Sequence, residues 1–313
     1  MLKFKGEINV IITIFVTIIN AFLLIFPQIV LPAARDGLML WFNNILPSLL
    51  PFMIGSNILI LLGGISIFCR IISPVTKFLF KLSGTAGFAV LIGLTSGYPM
   101  GAKTTADLLK NKEISLKEAQ HLIYFCNNAG PIFIISVVGL SLFNNLHVGY
   151  TLLAGHIISA LIIGIILRPK FVEEKKVNKG DFSNKSIGGI ISEAVKNAME
   201  SMTFIGGLII FFNVLFALFD NFVVINEPVL NGFFSGIIEI TSGAKRLSEV
   251  EFSLFSLGTV AFILGFGGFS VHAQALHFIN GTGLKTGSYI LAKAAHGLLA
   301  VVVTLILWQY IIK

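Results

Sequence analysis

Long apolar runs fill this chain, and its informative positions are those where polar or helix-breaking residues cut a run short. The first run, Ile8 to Phe26, follows Lys3 and Lys5 and approaches the ~20 residues a crossing helix needs. It exceeds the apolar core of a signal peptide, so a retained first helix is expected. Asp36 to Ile45 reads as an interfacial amphipathic helix, with Trp41 and Phe42 beside Asn43 and Asn44. A second span is expected from Pro47 to Phe68, with proline at a first helical position. From Ser83 to Leu109 an apolar arm breaks at Ser96-Gly97-Tyr98-Pro99 and resumes as a polar helix through Thr104, Thr105 and Asp107. Neither arm is long enough to cross, which predicts a re-entrant hairpin. Glu118 to Phe143 has the length to cross but is cut by Asn127-Asn128-Ala129-Gly130-Pro131. That is the pattern of a discontinuous helix whose second half starts near Pro131. His147 to Leu167 follows as an uninterrupted span.

After a polar stretch from Arg168 to Lys185 the pattern returns. An amphipathic lead-in, Ile187 to Met199, precedes a span from Met202 to Phe219. A hairpin follows from Val229 to Arg246, interrupted around Thr241-Ser242-Gly243-Ala244-Lys245, and then a helix from Phe252 to Ile279 broken at Gly267-Gly268. The last span is Ser288 to Tyr310. Gly101-Ala102-Lys103 recurs as Gly243-Ala244-Lys245, and Tyr150 and His156 are answered by Tyr289 and His296 with a one-residue shift. The shared order predicts a duplication. With hairpins that do not cross, each copy has three crossings, and an odd number makes the copies inverted. The predicted organisation is residues 1–46 as first span and interfacial helix, 47–168 as first repeat, 169–186 as cytoplasmic linker and 187–313 as second repeat.

Composition agrees with a bilayer: 55% of residues are hydrophobic, 12% are charged and the mean hydropathy is +0.91. The expected fold class is therefore an all-α polytopic membrane protein with two inverted repeats, each holding a re-entrant hairpin and a discontinuous helix. The net charge of +7 lies in short stretches between apolar spans, not in a stripe with interleaved aromatics, so nucleic acid is not an expected partner. Placing the N-terminus in the cytoplasm leaves only Arg35, Lys245, Arg246 and Lys313 outside, with Lys293 inside the last span. Two cysteines, Cys69 and Cys126, and six histidines show no metal-ligand spacing, and no cofactor is expected. Self-association into a homo-oligomer is left open.

The breaks carry the candidate chemistry, because each exposes half-helix ends whose N-termini attract anions. Gly130 and Pro131 at one break, and Gly267 and Gly268 at the other, either open a midplane site or merely permit kinks and close packing. Asn127, Asn128, Ser270, His272 and Gln274 offer polar groups to a solute, or satisfy freed backbone groups across the interruption. Tyr98 would stack on an aromatic solute or anchor the hairpin. Lys103 and Lys245 would pair with an acidic group or snorkel to an interface. Glu239, flanked by Ile237, Ile238 and Ile240, either binds a coupling ion or sits solvated at the hairpin mouth. With no phosphate-cradling loop and no recognisable nucleophile and base, neither an enzyme nor an ATP-driven pump is expected.

The strings Ser96-Gly97-Tyr98-Pro99-Met100-Gly101-Ala102-Lys103, Asn127-Asn128-Ala129-Gly130-Pro131 and Gly267-Gly268-Phe269-Ser270-Val271-His272-Ala273-Gln274 resemble those of the sporulation integral membrane proteins of the YlbJ (SpoVV) type, which carry nucleoside-recognition Gate-type segments. The likeness runs from about Leu46 to the end of the chain. It implies a spore-forming bacterium and transport of dipicolinate, a small aromatic dicarboxylate, from the mother cell across the outer forespore membrane. Half-helix N-termini, a lysine and amide side chains suit such an anion. Gate-type segments also occur in nucleoside transporters, so a nucleoside or heterocycle carrier is the alternative solute class, and a non-transporting scaffold in spore assembly the alternative role.

Overall fold

The computed structural model describes residues 2–62, 65–169, 186–223 and 225–311. The expected linker over 169–186 lies, but for its two end residues, outside the described residues. Helices α1 (Leu2–Ile25), α2 (Pro27–Leu40), α3 (Leu46–Leu61) and α4 (Ile65–Phe80) come first, with a π-helical turn, Trp41–Ile45, joining α2 to α3. Next are α5 (Gly84–Ser96), α6 (Met100–Lys110), α7 (Leu116–Phe125), a π-helical segment at Phe133–Leu142, and α8 (Leu146–Ile166). Then follow α9 (Ile187–Phe222), α10 (Pro228–Ile238), α11 (Ile240–Ser248), α12 (Leu254–Phe266), α13 (Gly268–Ile279) and α14 (Thr286–Ile311). No strand occurs among the described residues.

Five of these helical runs are long and apolar enough to cross a bilayer: Pro27–Leu61, Leu146–Ile166, Ile187–Phe222, Leu254–Ile279 and Thr286–Tyr310. The bent pair Ile71–Phe80 and Gly84–Ser96, turning through 92°, makes a sixth if counted as one span. The chain is an all-helical polytopic membrane protein.

Two expectations are corrected by helix continuity. Asp36–Ile45 is not a separate interfacial helix: Gly37 packs on Ile210, Trp41 donates its indole N–H to the Met202 carbonyl at 3.0 Å, and the run passes on through Pro47 to Leu61. Pro47 has no N–H to donate, so the helical ladder lacks one bond there, and the π-helical turn at Trp41–Ile45 lies immediately ahead of that gap. The boundary expected after residue 46 thus falls inside one helical run. Likewise the amphipathic lead-in Ile187–Met199 and the span after it form the single helix α9, which Ser186 starts by accepting a hydrogen bond from the Gly189 N–H.

The interruptions in the first half fall where glycine and proline punctuate the sequence. Ser83 caps α5, and α5 ends at Gly97, whose φ of +84° lies in the left-handed region that favours glycine. A Cβ at Gly97 would stand 2.7 Å from the Gly130 nitrogen, so the break between α5 and α6 presses backbone to backbone on the break after α7. In the second half α12 ends at Gly267, φ +96°, and α13 begins at once.

The second hairpin breaks earlier than expected. Thr241–Lys245 is helical within α11, and the interruption is the single residue Glu239, extended at φ −141° and ψ 115°. Gly243 serves packing on Gly236 of α10 rather than a turn.

Two apolar clusters surround these breaks. One gathers Met53, Tyr98, Phe133, Ile205, Ile240 and Leu264, and the other Phe80, Ala106, Ile123, Phe125, Ile279 and Tyr289. Leu254–Ile279 is the most enclosed of the five runs, 78% buried, with α14 against it.

Candidate functional site

Burial favours a partner for every polar group at the breaks, and following the partners that are present traces one network. Asn127 is fully buried; its Oδ1 accepts from the Ala102 N–H at 3.4 Å and its Nδ2 donates to the Tyr289 hydroxyl at 3.0 Å. The Tyr289 hydroxyl lies 3.3 Å from His272 Nδ1. Of the two tautomers, the one that gives the hydroxyl proton a partner has Tyr289 donate to Nδ1, and we assign it on that ground, with the neutral ring's proton on Nε2.

A second branch starts from the Asn127 carbonyl, which accepts from Lys293 Nζ at 2.9 Å. Lys293 also donates to His296 Nδ1 at 2.9 Å, and His296 Nε2 donates to the His156 carbonyl at 3.0 Å. His156 Nε2 accepts from the Ala129 N–H at 3.1 Å, filling a backbone bond that the break after α7 leaves open. The two imidazoles sit 4.7 Å apart, centroid to centroid.

Eight buried side-chain nitrogens and oxygens among the described residues have no hydrogen-bond partner, and four are concentrated here: Asn128 Oδ1, His156 Nδ1, Ser270 Oγ and His272 Nε2. Asn128 Nδ2 meanwhile donates to the Phe125 carbonyl at 2.7 Å. The centre therefore holds both donor and acceptor capacity that the protein itself does not use.

Beside this network is a cavity of about 50 Å³, lined by Gly97, Tyr98, Ala129, Gly130, Glu239 and Gln274 with apolar side chains around them. Tyr98 connects the two. Its ring lines the cavity, its hydroxyl donates to the Leu264 carbonyl at 2.9 Å, and the Lys293 ammonium lies 5.4 Å from its centroid. Gly267 approaches the same hydroxyl, where an added Cβ would stand 3.3 Å away. Gly268 instead packs on the Gly236 carbonyl, 2.7 Å from where its Cβ would be.

Glu239 is 1% exposed, so it is not solvated at a hairpin mouth. Its Oε2 accepts from the Ser242 N–H at 2.7 Å and its Oε1 from the Thr241 hydroxyl at 3.3 Å, capping α11 with a carboxylate where the helix dipole favours one. Ser242 passes its own hydroxyl proton to Asn213 Oδ1 at 2.9 Å. Ser242 and Asn213 border a larger cavity of about 520 Å³ that also receives Asp36, Lys245, Arg246 and Glu249. Arg246 is held there by Asn231 Oδ1 at 2.8 Å and Asp220 Oδ2 at 3.4 Å.

Of the residues singled out from sequence, Tyr98, Gly130, Glu239 and Gln274 meet at the small cavity, and Asn127 and His272 join the network behind Tyr98. Asn128 and Ser270 are buried at the same two breaks. Lys103 is elsewhere: it lines a separate cavity of about 130 Å³ with Asn57, Asp107 and Asn197. The cation at the centre is Lys293, which sequence reading leaves as an unplaced charge in the last span. Its signal was available, since Tyr289, Lys293 and His296 are spaced four and three apart and share one helix face.

The chain is 30% identical to the sporulation integral membrane protein YlbJ of Bacillus subtilis (strain 168), over 97% of this chain and 84% of that relative. No family model matches. No solved structure matches either.

Proposed function

Because this chain belongs to the family of YlbJ sporulation integral membrane proteins, we propose that it carries a small organic anion, dipicolinate or a close analogue, from the mother cell across the outer forespore membrane. The observation that carries the reading is the meeting of two interrupted helices at one buried polar centre with unspent hydrogen-bonding capacity. Irregular backbone persists at bilayer depth only where protein or a wet cavity receives its polar groups, and transporters use such breaks to bind their solutes.

Two inverted repeats working by alternating access fit this arrangement. In each half a pair of short helices, α5–α6 or α10–α11, packs its break against the break of a longer element, and a full-length helix, α8 or α14, follows. The hairpins are read as re-entrant and the N-terminus as cytoplasmic. The site is Tyr98, Asn127, Asn128, Gly130, Gly267, Gly268, Ser270, His272 and Gln274, with Glu239 or His272 handling a coupling ion if one is used. A cavity of about 50 Å³ holds waters but not a dicarboxylate, so loading requires the two halves to part.

Reconstitution of the full chain into liposomes tests the reading. Saturable uptake of labelled dipicolinate, suppressed by excess unlabelled dipicolinate and untouched by uridine, is the expected result. Uptake of uridine in its place would make this a nucleoside carrier, and no flux of either above empty liposomes would leave the scaffold role.

A further inference from the structure

Lys293 is completely buried, yet among the described residues no carboxylate lies within ion-pairing distance of it. Its two hydrogen-bond acceptors, the Asn127 carbonyl and His296 Nδ1, are neutral, and the face of Tyr98 lies next to it. A cation taken out of water is normally matched by an anion or by metal-like coordination, and inside a membrane an unmatched one marks a functional site.

The surroundings of Lys293 ask for an anion rather than supply one. His296 is fixed as an acceptor toward Lys293 because its Nε2 proton is used on the His156 carbonyl, so the imidazole orients the ammonium without neutralising it. The Asn127–Tyr289 chain fixes His272 with its Nε2–H free, a second donor on the same network, and Ser270 Oγ adds a hydroxyl with no partner. A carboxylate accepts from several donors at once, and an ammonium on α14, with an imidazole N–H and a hydroxyl on α13, forms a set suited to it; the two helices are joined through Tyr289 and His272. Tyr98, which touches both Lys293 and the cavity, offers an aromatic face next to that charge.

We propose that Lys293 is the charge-recognising residue of the transport site, pairing with a carboxylate of an aromatic acid whose ring packs on Tyr98, with His272 Nε2–H and the Ser270 hydroxyl as auxiliary donors. The assignment rests on the transport reading above and replaces Lys103, which faces another cavity with Asp107 close by in sequence. Lys293 is then held ready by His296 and Asn127, and the substrate supplies the counter-charge the protein lacks.

Ligand binding to the purified full chain separates the possibilities, using dipicolinate, its neutral diamide pyridine-2,6-dicarboxamide, and uridine as probes. Lys293→Gln should weaken dipicolinate binding by roughly 10- to 100-fold, the range for a charged hydrogen bond, while diamide affinity changes by less than about threefold. Lys293→Arg should keep part of the dipicolinate affinity. If Lys293→Gln does not fold, Lys293→Met is the second variant, because a methionine of similar length carries no charge to desolvate. Equal dipicolinate affinity in wild type and the neutral variant overturns the assignment and leaves the transport reading standing. Parallel loss of dipicolinate and diamide binding also overturns it, since that is the mark of a structural residue. A wild type that binds no carboxylate overturns the anion reading itself, and the wild-type arm alone reports that.

Discussion

Glu118 and Glu239 are both buried carboxylates, and the groups that meet their oxygens separate a staple from a cap. Glu118 reaches two backbone N–H groups on different helices' starts, Ser83 before α5 and Ser115 before α7, and completes a capping box with Ser115. Removing it leaves two buried donors open, so Glu118→Ala should destabilise the protein by about 2–4 kcal/mol, read from thermal unfolding in detergent. Glu239 bonds only within α11, through Ser242 and Thr241, and Glu239→Gln keeps an oxygen for the Ser242 N–H. Stability should then change by less than about 1 kcal/mol. Dipicolinate uptake by Glu239→Gln liposomes settles what else the residue does: unchanged uptake makes it a cap alone, and lost uptake at intact stability makes it the coupling group. At this scale the sequence exposed Glu239 through its isoleucine neighbours, and showed Lys293 only through its spacing from Tyr289 and His296 on one helix face. Alanines flank that lysine, and only the fold brings Asn127 and Tyr98 to it.

Among elements, glycine positions were the most legible signal and also the one most open to misreading. Gly97 and Gly267 take positive φ and end their helices where the sequence pattern predicted breaks. Gly243 looked equivalent but is a contact residue inside α11, because Glu239 can end one helix and cap the next within a single extended residue. Periodicity cannot tell a turn glycine from a packing glycine; the carboxylate two positions before Thr241 was the better marker. Gly267→Ala forces a Cβ into the left-handed region and near the Tyr98 hydroxyl, which should lower stability by about 1–2 kcal/mol. Gly267→Asn should lose less, since asparagine visits that region more readily. Unfolding midpoints for the pair check this, and equal loss in both would mean that crowding against Tyr98, not backbone conformation, dominates.

For the whole molecule, the all-helical, membrane-spanning character was readable from hydropathy and the places of several breaks from Gly, Pro and Asn punctuation. The number and bounds of the spans were not: among the described residues five runs, or six with the bent pair, are long and apolar enough to cross, and Pro27–Leu61 stands where an interfacial helix and a separate span were expected. Continuity across Pro27–Leu61 and along α9 was not readable either, because it goes with side-chain bonds to a neighbouring helix that the sequence pattern does not show. Asn213 is an instance: its Nδ2 donates to the Ala33 carbonyl at 2.7 Å, tying α9 to α2. What decides between a transporter of inverted repeats and a simple bundle is the side from which each hairpin is reached. Under inversion, the Lys103 cavity, lined also by Asn111 and Glu113, and the Lys245 cavity, lined also by Glu249, open to opposite faces. Cys69 and Cys126 are buried, so single added cysteines dominate labelling. In right-side-out vesicles an impermeant maleimide should modify Glu249→Cys and spare Lys112→Cys, and in inverted vesicles the pattern should reverse. Because an odd number of crossings per copy is what places the hairpins on opposite sides, modification of both cysteines from one face would remove the inversion and with it alternating access about the central site.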